Sequence, residues 1–84
     1  MFKYNSDDIL RAGKLEIISE SVWLTEEDTN FCSELSHYIM DLTSQEFDNF
    51  KALNGSVSDA AEMAWAIAEQ NGYVEYFGTK YPIK

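Results

Sequence analysis

The chain has 84 residues, 45% apolar and 14% aromatic, with fifteen carboxylates against six Lys and Arg and a formal charge of −9 at pH 7. That is enough apolar material for one core and too many aromatics for a disordered acidic tail, so residues 1–84 read as one acidic domain. A field of this sign repels nucleic acid and anionic membrane and attracts basic partners.

Asn5 to Ala12 reads as a short helix, capped by Asn5 or Ser6, favoured by Asp7 and Asp8 in its first turn and ended by Gly13. Leu15 to Leu24 reads as a strand, with Ile18, Val22 and Leu24 on one face and Ile17 and Trp23 on the other. Thr25-Glu26-Glu27-Asp28 has the form of a capping box and opens the clearest helix. Phe31, Leu35, Tyr38 and Leu42 line one face of that helix, and Ile39 widens it. Thr43 to Glu46 repeats the capping pattern and starts a second helix. Leu42 and Phe47 stand at staple positions, Phe47, Phe50 and Leu53 form the apolar side, and Asn54-Gly55 is the stop. Ser56 or Ser58 caps a third helix to about Gln70. Its stretch Ala60 to Ala68 is apolar nearly all round, which predicts the centre of the core, and Asn71-Gly72 ends it.

Tyr73 to Phe77 reads as a second strand, followed by a turn at Gly78-Thr79 and a trailing Tyr81-Pro82-Ile83. Two strands in so short a chain most simply pair with each other, with the helices over one face. The expected fold class is therefore a helix-dominated α+β domain of three to four helices and a two-stranded sheet. Trp23, Phe31, Phe47, Phe50 and Trp65 are the core aromatics expected from period.

The single cysteine, Cys32, rules out an intrachain disulfide framework and fits a reducing compartment. The first eight residues contain no apolar signal-peptide core, and no run is long enough for a membrane span, so a cytoplasmic location is expected.

Signals for catalysis are sparse. His37 is the one histidine and sits five residues from Cys32. That spacing turns a helix by about 140° beyond a full turn and separates the two side chains. One His and one Cys fit no zinc pattern, Asp28-Thr29-Asn30 lacks the glycine of a calcium loop, and no glycine-rich phosphate loop occurs. No enzyme, cofactor or metal is expected.

The carboxylates carry more information. From Leu15 to Thr79 there are thirteen acids and one base, Lys51; between Lys14 and Lys51 there are nine acids and no Lys or Arg. Glu20, Glu27, Glu34, Asp41 and Asp48 recur at intervals of seven, as do Glu62 and Glu69. Within one helix, seven residues advance about 10.5 Å and drift only about 20° around the axis. Glu27, Glu34 and Asp41 therefore form a stripe beside the apolar face, without the Lys or Arg at i+4 that often accompanies a structural solvated face. Two readings fit: an ordinary solvated edge, or a ladder of charge standing in for the phosphates that DNA-binding proteins meet with Lys and Arg. At the C-terminus, Tyr73, Tyr76, Phe77 and Tyr81 exceed what a small core needs, and an exposed remainder would anchor an interface.

From Glu26 to Gly78 the chain resembles the middle module of ArdA-type antirestriction proteins. The resemblance is carried by the acidic helix around Cys32-Ser33-Glu34-Leu35, by Leu42-Thr43-Ser44-Gln45-Glu46-Phe47, by Ser56-Val57-Ser58-Asp59-Ala60-Ala61 and by Tyr73-Val74-Glu75-Tyr76-Phe77. That family is carried by phages and mobile elements and inhibits restriction enzymes by mimicking DNA. Its members are longer and multi-module, and only the acidic helix is carried over to this chain. A compact acidic chain with few strands is also similar in style to some phage anti-CRISPR proteins.

Two functions follow as expectations. The first is a non-enzymatic inhibitor, phage or mobile-element encoded and acting in the host cytoplasm, that binds the basic nucleic-acid-binding surface of a host defence protein. Its contacts would be Glu20, Glu26, Glu27, Glu34, Asp41, Glu46 and Asp48, with Tyr73, Tyr76 and Tyr81 adding area. The second is an immunity-type or adaptor protein that binds one partner through the C-terminal aromatic patch. A homodimer would lengthen the acidic surface in the first case.

Overall fold

The computed structural model describes residues 2–83; Met1 and Lys84 lie outside the described residues. Four helices, α1 (Ser6–Ile18), α2 (Glu26–Met40), α3 (Ser44–Asn54) and α4 (Val57–Asn71), precede an antiparallel hairpin of β1 (Tyr73–Tyr76) and β2 (Thr79–Pro82). The α+β class expected from sequence holds. Among the described residues no helix is long and apolar enough to cross a membrane.

α1 starts where its capping chemistry dictates. The Asn5 side chain accepts from the Asp8 backbone N–H at 3.1 Å, and the Asp8 carboxylate accepts from the Asn5 N–H at 3.0 Å. It does not end at Gly13, and no strand follows: the helix runs on through Leu15, Glu16, Ile17 and Ile18. Gly13 is a place of close approach. A Cβ there would lie 2.7 Å from the Ala61 nitrogen and 2.8 Å from the Ala60 carbonyl carbon. The missing side chain lets the backbones of α1 and α4 touch, and this contact offsets the helix-propensity cost of glycine, about 1 kcal/mol.

Ile9, Ala12, Leu15, Ile17 and Ile18 are buried and spread round most of the α1 axis, leaving a sector at Leu10 and Lys14 open. α1 is therefore the central helix, a place the sequence reading assigns to α4. A helix buried over most of its circumference displays only a weak 3.6-residue period, and a short apolar run between glycine and serines looks like a strand. α1 divides two apolar clusters. On one side Leu15, Ile17 and Ile18 pack with Ala64, Ala68, Val74 and Tyr76; on the other, Ile9 and Ala12 pack with Tyr4, Leu35 and Phe50. Residues 19–24 are a turn and a loop, closed by hydrogen bonds from the Ser21 and Val22 N–H groups to the Ile18 carbonyl. Trp23, expected in the core, is fully exposed.

α2 and α3 begin as read. Thr25 Oγ1 accepts from the Asp28 N–H at 3.1 Å, and Thr43 and Glu46 form a reciprocal capping box. Leu35 is buried, with Phe31, Tyr38, Ile39 and Leu42 half-buried around it. On α3 only Phe50 is buried, while Phe47 and Leu53 are exposed. Steps of three residues place those two about 60° to either side of Phe50, so a narrow contact covers the middle residue alone.

Ser56 caps α4, which buries Ala64 and Ala68 but leaves Met63, Trp65 and Ile67 exposed. Gly72 closes it in the left-handed conformation. The hairpin is local: Tyr73 pairs with Pro82, Val74 with Tyr81, Glu75 with Lys80 and Tyr76 with Thr79. The partner of the Tyr73 strand is thus the segment read as a trailing end, rather than residues 15–24. Phe77 belongs to the turn, with φ 47°, followed by Gly78 at φ 81°. Two successive positive φ values define the two-residue turn whose twist suits a hairpin.

Candidate functional site

Three of the acids form the expected stripe. Glu27, Glu34 and Asp41 are exposed, Glu27 and Glu34 within α2 and Asp41 as its C-cap in right-handed helical geometry. The stripe runs beside Phe31 and Tyr38, on the flank of the apolar face. Glu26 and Glu27 stand in the first turn, where the helix dipole favours them; Asp41 stands at the opposite end, where it opposes the dipole. Local stability therefore accounts for the first pair and does not account for Asp41.

The structure adds cations that the linear pattern hides. The segment before α1 crosses this flank, and the Lys3 N–H donates to Tyr38 Oη at 3.1 Å. Lys3, Arg11, Glu26, Glu27, Asn30 and Glu34 all line one open depression of about 650 Å³. The upper half of the stripe thus borders two basic residues, and Asp41 lies beyond them.

The remaining acids do not extend this ladder. Glu20 is exposed in the turn after α1, and Asp48 and Glu46 are exposed on α3. The seven-residue interval from Glu20 to Asp48 therefore crosses three separate elements. Glu46 accepts from the Thr43 backbone N–H at 3.0 Å, and the hydrogen bonds from Thr43 hold its carboxyl below the usual range. Glu20 joins a different group: with Glu16 of α1 and Glu62 of α4 it surrounds a depression of about 350 Å³ floored by Ile17, Ala61 and Trp65. The sequence reading left out Glu16 and noted Glu62 only for its interval with Glu69. Glu16 and Glu20 are four residues apart, a helical signal obscured by the strand assignment.

The aromatic patch is reduced. Tyr73 and Tyr81 are half-buried, and Tyr81 packs against the core. Tyr76, offered as a contact residue, is 8% exposed and is the hub of a polar network. Its Oη donates to Asp28 Oδ1 at 2.7 Å and accepts from Arg11 Nε at 2.8 Å, while Arg11 Nη2 donates to the same Asp28 oxygen at 3.0 Å. The Arg11 guanidinium also lies 4.0 Å from the Phe31 ring centroid, within cation–π range. Burial and the hydrogen bond to Asp28 push Tyr76 up to about 12. Burial works against the ionised Asp28, but hydrogen bonds from Tyr76, Arg11 and Thr25 outweigh it and hold the carboxyl below its ordinary value. Arg11–Asp28 is the one salt bridge among the described residues. With Tyr76 it links α1, α2 and β1, and among the described residues the surface carboxylates have no ion-pair partners.

No family model matches the chain, and no curated protein or solved structure shows significant similarity to it.

Cys32 is half-buried, and burial, with the nearby Asp28 charge, pushes its thiol up, so it stays protonated at neutral pH. His37 is exposed, on a different side of α2 from Cys32. Among the described residues no three His, Cys, Asp or Glu side chains gather as a metal site requires. The arrangement lends itself to presenting charge and contact area.

Proposed function

We propose that this protein is a non-enzymatic acidic inhibitor that binds the basic nucleic-acid-binding surface of another protein, by presenting carboxylates where that surface meets phosphates. The observation that carries this reading is the α2 stripe. Glu27, Glu34 and Asp41 are exposed on one flank of a single helix, about 10.5 Å apart, and none forms a salt bridge among the described residues. Asp41 opposes the helix dipole, so local stability does not account for it. A helical scaffold holds these charges in fixed positions, which favours steered, salt-sensitive association. The resemblance of Glu26 to Gly78 to the ArdA middle module suggests host restriction enzymes as partners to try first, and the similarity in style to phage anti-CRISPR proteins adds CRISPR effector nucleases.

The test is competition. Purified restriction and CRISPR effector nucleases are titrated with the protein in the presence of labelled duplex DNA, at several salt concentrations. The protein is expected to displace DNA, with affinity falling by roughly tenfold or more as salt rises from about 50 to 200 mM. Reversal of Glu27, Glu34 and Asp41 to Lys is expected to abolish displacement. Affinity indifferent to salt and to these reversals, combined with loss on Tyr73→Ala or Tyr81→Ala, would transfer the conclusion to the aromatic-patch reading.

A further inference from the structure

Leu10 of α1 and Met63 and Ile67 of α4 remain 37%, 61% and 52% exposed. Together with Tyr73 of β1 they line a groove of about 340 Å³, walled also by Lys14 and Glu75. Met63 and Ile67 are one helical turn apart and present a continuous apolar edge. Lys80 stands opposite Glu75 in the hairpin, and its Nζ lies 4.9 Å from the Tyr73 ring centroid. Neither Lys14 nor Lys80 forms a salt bridge among the described residues.

The groove has an apolar centre rimmed by charges of both signs, on a chain of net charge −9. A strongly basic partner would meet Lys14 and Lys80 here, and a strongly acidic one would meet Glu75. A second copy of the same face, turned about a two-fold axis, meets neither problem. It offers apolar side chains to apolar side chains, and each rim carries lysines and a carboxylate that can pair across the seam. On the acidic α2 flank, by contrast, two copies would repel. We propose that the groove of Leu10, Met63, Ile67 and Tyr73 is the interface of a two-fold homodimer. Such an interface takes roughly 600–800 Å² from each partner, on the order of a tenth of the 6013 Å² the chain exposes. The proposal is independent of which protein the acidic flank binds.

Sedimentation equilibrium of the full chain, from micromolar to near-millimolar concentration at moderate salt, tests it. The wild type is expected to be dimeric at the upper end. Met63→Glu/Ile67→Glu, with a helical circular dichroism spectrum retained, is expected to be monomeric, and Met40→Glu on the exposed side of α2 is expected to dimerise as the wild type does. If the double variant does not fold, Lys14→Glu/Lys80→Glu supplies the reading: a uniformly acidic rim weakens the dimer by about tenfold or more. A wild type that stays monomeric throughout, or a dimer that the folded groove or rim variants leave unchanged, overturns the proposal.

Discussion

Tyr76 Oη and Asp28 Oδ1, 48 residues apart in sequence, meet at 2.7 Å in a polar network that ties α1, α2 and β1 together. Arg11 completes it with bonds to both partners. Tyr76→Phe deletes two hydrogen bonds but leaves the Arg11–Asp28 pair, and is expected to cost about 1–2 kcal/mol. Asp28→Ala leaves the Tyr76 hydroxyl and Arg11 Nη2 without their acceptor in a half-buried site, and is expected to cost more, about 2–3 kcal/mol. Urea denaturation of the two variants measures both values; equal or negligible losses would refute this account of the network.

The same network predicts how stability varies with pH. Tyr76 binds its proton more tightly folded than unfolded, with an ordinary value of 10.0 raised to about 12. Its contribution is therefore complete below pH 10 and is lost as pH rises toward 12. Asp28 has a lowered folded value, so its contribution is present above the ordinary 3.8 and disappears as pH falls through the folded value. Tyr76→Phe is expected to flatten the alkaline limb and Asp28→Asn the acid limb. Melting curves across pH give the comparison, and ultraviolet titration of the tyrosines should show one group ionising only at about pH 12.

Gly13→Ala should destabilise, although alanine is the better helix former. The added Cβ would sit 2.7 Å from backbone nitrogen on α4, and the two helices must separate to admit it. Overpacking of this kind costs about 1–3 kcal/mol, more than the roughly 1 kcal/mol gained in propensity. An increase in melting temperature would show that the helices part easily.

Asp41→Asn is expected to separate stability from binding. Removing a negative charge from the C-terminal end of α2 should raise stability slightly, by about 0.3 kcal/mol at low salt. The same change should weaken displacement of DNA from the partner. A variant less stable than wild type would mean that Asp41 has a structural partner, and its place in the proposed binding surface would be lost.

Trp23 is fully exposed, so Trp23→Ala should leave stability within about 0.5 kcal/mol. Tryptophan emission should lose a component that is as red-shifted in the folded protein as in urea. A large loss of stability would place the ring inside the fold.

The boundaries and stops that rest on local chemistry were legible in the chain. Asn5, Thr25, Thr43 and Ser56 cap helices because a side-chain oxygen reaches a backbone N–H three residues on, and Gly72 ends α4 because it tolerates positive φ. The inward face of α2 was legible for a similar reason: one side faces water, so its period survives in the sequence. The stripe of Glu27, Glu34 and Asp41 follows from that same helix.

What depends on distant neighbours was not legible. Whether Leu15 to Ile18 is helix or strand depends on α4 passing over Gly13, and a glycine that marks close approach looks in sequence like one that marks an end. Tyr76 resembles an exposed anchor until Arg11 and Asp28 are brought against it. Met63 and Ile67 look like core because only the packed structure shows that α1, and not α4, occupies the centre. Hydrogen bonds and φ preferences act within a few residues, whereas burial belongs to the assembled surface. Only the folded chain decides which apolar side chains are left facing water.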